Sequence, residues 1–213
     1  MKTLLGIRSV DRAEDIGAQT LLGLCTSLKP APGRAGRSAA RSLLIHALDL
    51  VADVYPEVSL LDLRDHPPPL FDGRMPEEND DPIVQLLASC IERAGALLIS
   101  VPAYWSGVSG VFKNLVDVLC GPAYDMQGPT ATVFSSKPVG FLVIGAETAS
   151  AQAGAEQTRA ILLATGARLV GNPVIVADPR RHRDDMSAVS NGLAALAGEL
   201  AQNAYRAAVR REP

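Results

Sequence analysis

Apolar runs alternate with amphipathic segments along most of the chain. Continuous apolar runs predict five buried strands, at 20–26, 58–63, 95–101, 139–145 and 168–177. Apolar residues recur at helical spacing in five further segments, at 37–54, 82–94, 110–119, 152–165 and 185–210. Because strands and helices alternate, the pattern predicts parallel βαβ units with helices on both faces of one sheet.

This order of elements predicts an α/β fold of three layers. The expected form is a doubly wound, five-stranded parallel sheet of the flavodoxin-like type, with strand order 2-1-3-4-5. Met1–Ser9 resembles the first strand in sequence, but only the strand at 20–26 leads into a Gly-rich loop and a long amphipathic helix. We therefore predict an N-terminal extension at 1–19, either an edge strand or an arm on a partner subunit. Residues 20–213 are predicted to form a single domain.

Composition narrows the class of protein. The chain has 213 residues, of which 47% are hydrophobic and 20% charged, which is typical of a globular domain with a sizeable core. A net charge of −3 gives no reason to expect nucleic acid or an anionic membrane as a partner. Three scattered cysteines without a CxxC motif indicate a reducing, cytoplasmic compartment, and three distant histidines give no metal-ligand spacing.

The loop after the first strand combines hydroxyls, cations and glycines. Ser27 and Lys29 follow the strand, and Arg37 and Ser38 precede the helix. Because a helix N-terminus offers free N–H groups and a positive dipole end, this arrangement suits a phosphate. The loop is neither a P-loop nor a GxGxxG motif. The alternative is a solvated basic loop with Ser38 as the helix N-cap.

The loop after the third strand is rich in aromatic side chains and glycine. Pro102 is expected to end the strand, and Ala103, Tyr104 and Trp105 follow it. Trp105 is the single tryptophan of a chain with 4% aromatic residues, so we expect a planar ligand or a partner subunit to pack on it. The alternative is that the two aromatic rings only fill a subunit interface.

The loop after the fourth strand is predicted to reach the same edge of the sheet. Gly145 ends that strand, and the loop is expected to extend to Gln152. Backbone N–H and hydroxyl groups there are suited to the carbonyls of a heteroaromatic ring. Glu147 is a candidate proton donor or acceptor, or a simple surface carboxylate. Lys113 and Asp117 lie four residues apart on a helix and are expected to form a structural ion pair.

These motifs together resemble the NADPH-dependent FMN reductase family. The family has a proline, one residue, a tyrosine, a short Ser/Gly-rich turn, then Lys-Asn and Asp on a helix, and 102–117 follows that order. The segments 26–29, with Ser38, and 69–72 are similar to two further family motifs. The resemblance spans about residues 20–178.

The resemblance implies FMN as cofactor and NAD(P)H as co-substrate. Ser27, Lys29 and Ser38 would hold the FMN phosphate, with Arg37 or Arg34 as alternatives for the cation. The segment 102–105 would line the isoalloxazine, with Gly145 and Glu147 at its far edge. Hydride would pass from NAD(P)H to bound flavin and on to a flavin, a quinone or another small-molecule acceptor, without an obligatory catalytic residue. The family commonly forms dimers or tetramers, so a homodimer or homotetramer is expected.

Three alternatives to this function stay open. The first is a non-enzymatic, flavodoxin-like electron carrier, and the second is a flavin-dependent enzyme that modifies one pathway intermediate. The third is an interaction protein without a cofactor, since a fold does not determine a function.

Overall fold

The computed structural model describes residues 7–29, 38–53, 57–122, 132–179 and 187–209. The strands are β1 (Arg8–Ser9), β2 (Leu21–Cys25), β3 (Val58–Asp62), β4 (Ala96–Tyr104), β5 (Gly107–Val108), β6 (Pro138–Gly145), β7 (Arg168–Leu169) and β8 (Val174–Ala177). The helices are α1 (Ala39–Ala52), α2 (Pro82–Arg93), α3 (Gly110–Cys120), α4 (Thr148–Ala164) and α5 (Ser187–Val209).

The strands form one mostly parallel sheet. Its main path is β1-β3-β2-β4-β6-β7, with β8 also paired to β6 and β5 paired antiparallel to β4. The sheet has eight strands, so the prediction of five was too low. Two additions are the short strands β1 and β5. The third arises because the predicted last strand breaks at Asn172-Pro173 into β7 and β8, which both pair with β6.

Two apolar clusters cover the two faces of the sheet. One cluster contains residues of α2, α3 and α4, and the other contains residues of α1 and α5. Neighbouring strand residues go to opposite clusters, as with Leu21 and Leu22 or Leu97 and Leu98, because successive side chains of a strand point to opposite faces. The α/β architecture with helices on both sides of the sheet is thus the predicted one.

The described part of the N-terminal segment packs against its own domain. Ile7, Val10 and Ile16 are buried, and Val10 N donates to Leu60 O at 3.1 Å beside the pairing of β1 with β3. Arg93 Nε donates to Ile16 O at 2.9 Å. Residues 8–10 therefore extend the β3 edge of the sheet, and Ile16 is bound by Arg93 of α2. The domain boundary after residue 19 stays a prediction. No helix within the described ranges is long and apolar enough to span a bilayer.

Candidate functional site

Three strand ends meet at one edge of the sheet. The register places Cys25 of β2 beside Ser100 of β4, and Pro102 of β4 beside Ile144 of β6. Because these strands are parallel, the segments that follow them lie next to one another at the carboxyl edge. Those segments carry the predicted site residues that the structure describes.

The hydroxyls of Ser27 and Ser38 form a buried pair at the start of α1. Ser38 Oγ donates to Ser27 Oγ at 2.8 Å, and the two residues are 3% and 4% exposed. Ser38 also caps α1, since its Oγ accepts from Arg41 N at 3.3 Å. Ser27 Oγ accepts a second bond from Lys29 N at 3.4 Å. The two hydroxyls use one hydrogen for the bond between them, so the other hydroxyl hydrogen can be donated to an anion at the helix N-terminus.

The predicted cations beside this pair are Lys29 and Arg37. Lys29 is exposed two residues after Ser27. Arg37 lies outside the described residues. In the described part of the chain, Lys29 is thus the predicted cation whose backbone N–H contacts the Ser27 hydroxyl, and its side chain is exposed.

Arg41 and Asp62 form an ion pair beneath the same loop, and sequence reasoning missed both residues. Arg41 donates from Nε to Asp62 Oδ2, and from Nη2 to Oδ1 at 2.8 Å. Arg41 also donates from Nη2 to Ser27 O and from Nη1 to Lys29 O, both at 3.2 Å. The hydrogen bond to Asp62 raises the pKa of Arg41 further, so the guanidinium is always charged. The sequence held two signals for this pair: an arginine in the first turn of α1, and an aspartate at the end of an otherwise apolar strand.

β4 is longer than predicted and includes Pro102. Thr26 N donates to Ser100 O at 3.2 Å, so the peptide groups of Ser100, and those of Pro102 two residues later, face the β2 side. β2 ends at Cys25, so the missing N–H of Pro102 costs no ladder bond. The carbonyl of Pro102 is also satisfied, because its oxygen accepts from Ser109 N at 2.8 Å. The expectation that Pro102 ends the strand was therefore wrong.

A tight turn joins β4 to β5 and makes them a hairpin; it consists of Tyr104, Trp105, Ser106 and Gly107. Trp105 and Ser106 both have positive φ, of 51° and 58°, which is the left-handed combination of a type I′ turn. Trp105 is 100% exposed, and Tyr104 is half-exposed with a pKa raised by partial burial. Ala103 is buried and packs against α4 at Gly154.

Helix α4 holds this turn in place. Gln157 Nε2 donates to Ser106 O at 3.0 Å, and Gln157 Oε1 accepts from Val108 N at 3.2 Å. Ser150 Oγ accepts from Ser106 N at 3.3 Å. Three side-chain bonds therefore fix a strained turn at the tip of the hairpin.

Asn114 of α3 anchors the loop that follows β3. Its Nδ2 donates to Pro69 O at 2.8 Å, and its Oδ1 accepts from Phe71 N at 2.9 Å. Leu70 between them is 86% exposed. The neighbouring pair Lys113–Asp117 is formed at 2.5 Å and is largely solvent-facing, as a structural ion pair would be.

The segment after β6 is shorter than predicted, because α4 begins at Thr148 instead of Gln152. Glu147 is exposed and occupies the N-cap position without a side-chain capping bond. A Cβ at Gly145 would approach Ala151 N to 2.8 Å, so packing of α4 on β6 accounts for this glycine. The segment contributes backbone and the Glu147 carboxylate to the edge.

The donors at this edge fit an anionic group better than a metal ion. The Ser27 hydroxyl, the start of α1 and Lys29 are all donors or cations. Among the described residues, no group of three or more His, Cys, Asp or Glu side chains is placed to hold a metal. A separate cavity of about 250 Å³ lies between α2 and the end of α3, lined in part by Cys120, and contains none of the predicted site residues.

Comparison with known proteins agrees with the motif resemblance. Residues 20–180 match the family model described as NADPH-dependent FMN reductase. No curated protein matches the chain significantly.

Solved structures share the fold at low sequence identity. A structure of an NADH:FMN oxidoreductase, EMOB, in its apo form has a TM-score of 0.65 and 15% identity over 86% of this chain and 88% of its own. An oxidoreductase from Corynebacterium diphtheriae has a TM-score of 0.66 and 15% identity, over 94% and 98%. A flavodoxin mutant from Pseudomonas aeruginosa has a TM-score of 0.54 and 17% identity, over 85% and 98%.

Proposed function

Because the chain belongs to the NADPH-dependent FMN reductase family, we propose that it oxidises NAD(P)H and reduces a small-molecule acceptor such as free flavin or a quinone. FMN is the prosthetic group of this family, and NAD(P)H is its electron donor. When bound, FMN supplies the hydride chemistry, and the protein supplies binding, orientation and electrostatics.

The phosphate of FMN is assigned to the start of α1. Ser27 and Ser38 would offer hydroxyls there, Lys29 and Arg37 would offer positive charge, and the helix would offer N–H groups and its dipole. The buried Ser27–Ser38 pair is the single observation that supports this assignment most directly. Two polar side chains buried at a helix N-terminus need a further polar partner to use all their donors.

The isoalloxazine is assigned to the hairpin at the end of β4. Pro102, Ala103, Tyr104 and Trp105 would line one side of the ring, and Gly145 and Glu147 would face its far edge. A flat ring at this position would cover part of Trp105, which is fully exposed in the chain alone. None of these residues is assigned an acid or base role.

Purification and flavin analysis test this proposal. We expect a yellow protein that releases FMN, and not FAD, on heating. Steady-state oxidation of NADPH and NADH should then be measured with riboflavin, menadione or no added acceptor. Oxidation that depends on the added acceptor supports the enzyme, and a colourless protein that binds no added FMN contradicts it.

The similarity to a flavodoxin favours a second candidate, an electron carrier. A carrier would bind FMN but oxidise no NAD(P)H unless a separate reductase is added. The same steady-state assay therefore separates the two functions.

Exposed apolar side chains at the site also support the expected homodimer or homotetramer. Leu28, Leu70 and Trp105 are 47%, 86% and 100% exposed, and all follow strands at the carboxyl edge. Sedimentation of the protein, with and without FMN, would show whether this edge is covered by a second copy.

A further inference from the structure

We propose that Arg41 is a positioning residue, which Asp62 holds in place so that its guanidinium orients the backbone of Ser27–Lys29 for a phosphate group. This inference rests on the proposed function, because it concerns the same phosphate site. It assigns a role to an ion pair that the family motifs quoted above do not include.

The guanidinium bridges the end of β3 to the loop after β2. Four of its five N–H groups donate hydrogen bonds. The Nε–H and one Nη2–H donate to the Asp62 carboxylate, the other Nη2–H donates to Ser27 O, and one Nη1–H donates to Lys29 O. The side chains of Arg41 and Asp62 are 12% and 6% exposed. A planar, nearly buried fork with this many bonds has a fixed orientation.

These bonds determine which way the loop amides point. In a trans peptide the C=O of one residue and the N–H of the next point in opposite directions. Since Ser27 O accepts from Arg41, the N–H of Leu28 points away from the guanidinium. The N–H of Lys29 meanwhile donates to Ser27 Oγ at 3.4 Å. Arg41 thus fixes the peptide groups that follow Ser27 and Lys29. These two groups flank the peptide whose N–H reaches the Ser27 hydroxyl.

Charge argues against Arg41 as a direct phosphate ligand. Asp62 neutralises the guanidinium, and Asp62 Oδ1 is itself anchored by Arg64 N at 3.0 Å. An arginine that contacts phosphate directly would bind it more tightly once Asp62 lost its charge. An arginine that acts through the loop carbonyls would instead lose its orientation.

The test compares FMN with riboflavin, which has the same ring but no phosphate. Dissociation constants for both are measured by flavin fluorescence for wild type, Arg41→Gln, Arg41→Lys and Asp62→Asn. The matched control is Arg64→Gln, which removes a cation 3.8 Å from the same Asp62 carboxylate. The side chain of Arg64 donates to Asp65 and not to the loop carbonyls. Circular dichroism and thermal unfolding confirm that each variant is folded, and Arg41→Lys replaces Arg41→Gln if the latter is not.

A positioning role predicts a loss that is specific to phosphate. We expect both Arg41 variants and Asp62→Asn to weaken FMN by about ten-fold or more, and riboflavin by less than about two-fold. Arg64→Gln should change either constant by less than about two-fold.

Two results would overturn the inference. Equal weakening of FMN and riboflavin would mean that the ion pair only supports the fold. Tighter FMN binding by Asp62→Asn would mean that Arg41 is a direct ligand. A wild-type protein that binds no FMN would instead refute the proposed function, so the two failures are distinguishable.

Discussion

Ser27 is the residue at which the phosphate assignment is most open to test. Replacing it by glutamate would put a carboxylate at the start of α1, where it would repel the FMN phosphate. At a separation of about 4 Å such repulsion is worth several kcal/mol, so Ser27→Glu should weaken FMN by about a hundred-fold or more.

The matched control for this variant is Ser42→Glu, which adds the same charge on the exposed side of α1. It should leave FMN affinity nearly unchanged, and riboflavin should distinguish charge repulsion from distortion of the loop. Unchanged FMN affinity in Ser27→Glu would place the phosphate elsewhere.

The cysteines show how burial suppresses reactivity at single residues. Burial raises the pKa of the Cys90 thiol from 9.0 to about 11 and that of Cys120 to about 12. We expect iodoacetamide at about pH 8 to modify both at least about ten-fold more slowly in the folded protein than in urea, because only the thiolate reacts. Peptide mass spectrometry would measure the rates, and similar rates in the two states would contradict the burial.

The same thiols make stability depend on alkaline pH. Their folded pKa values lie above the unfolded values, so the folded state keeps these protons to higher pH. The free energy of unfolding should therefore be unaffected by them below about pH 8. It should fall as the pH rises from about 9 towards 11, and Cys90→Ala should flatten this fall although it lowers stability overall.

At the scale of elements, the β4–β5 hairpin departs from ordinary turn chemistry. A type I′ turn favours Asn-Gly, and this chain has Trp105-Ser106. The double variant Trp105→Asn/Ser106→Gly should raise the free energy of unfolding by about 1–2 kcal/mol, because Asn and Gly adopt positive φ at lower cost. Urea unfolding curves would measure this change. Gln157→Ala removes two bonds to the turn and should act in the opposite direction.

The double variant also tests the role of Trp105 at the flavin. If Trp105 lines the ring, FMN affinity falls while stability rises, as expected when strain is retained for function. Unchanged FMN affinity together with higher stability would remove Trp105 from the site.

Element boundaries show where local pattern was insufficient. The apolar run predicted β4 to end at about residue 101, but pairing with β5 extends it to Tyr104. The hydroxyl-rich start of α4 suggested a loop to Gln152, but the helix begins at Thr148 and supports the hairpin through Ser150 and Gln157. Both differences come from contacts with distant segments, which periodicity does not register.

For the whole molecule, Gly95 marks the point where three segments converge. An added Cβ there would clash with the Ala18 carbonyl and lie 2.9 Å from Ala204 Cα in α5. Gly95→Ala should therefore lower the free energy of unfolding by about 3 kcal/mol, measured with urea. Gly198→Ala is the matched control, because nothing lies within 4 Å of its added Cβ, and it should raise stability by about 0.5–1 kcal/mol. Equal effects would mean that the convergence at Gly95 is looser than the structure shows.

The order of apolar runs and helical segments was sufficient to predict an α/β protein with a mostly parallel sheet and helices on both faces. Three motifs, near Ser27, Phe71 and Pro102, indicated the family, which the family match then confirmed. Local sequence can do this because periodicity, helix caps and turn residues act over a few neighbours, and because strand ends carry a binding site in such folds.

Tertiary structure decided what depends on residues far apart in the chain. Arg41 meets Asp62 and the carbonyl of Ser27, and Asn114 anchors the loop around Leu70, only because parallel strands bring their carboxyl ends together. The extra strands β1 and β5 likewise depend on their pairing with β3 and β4. A two-residue strand has too few local signals of its own, so its existence is a property of the assembled sheet.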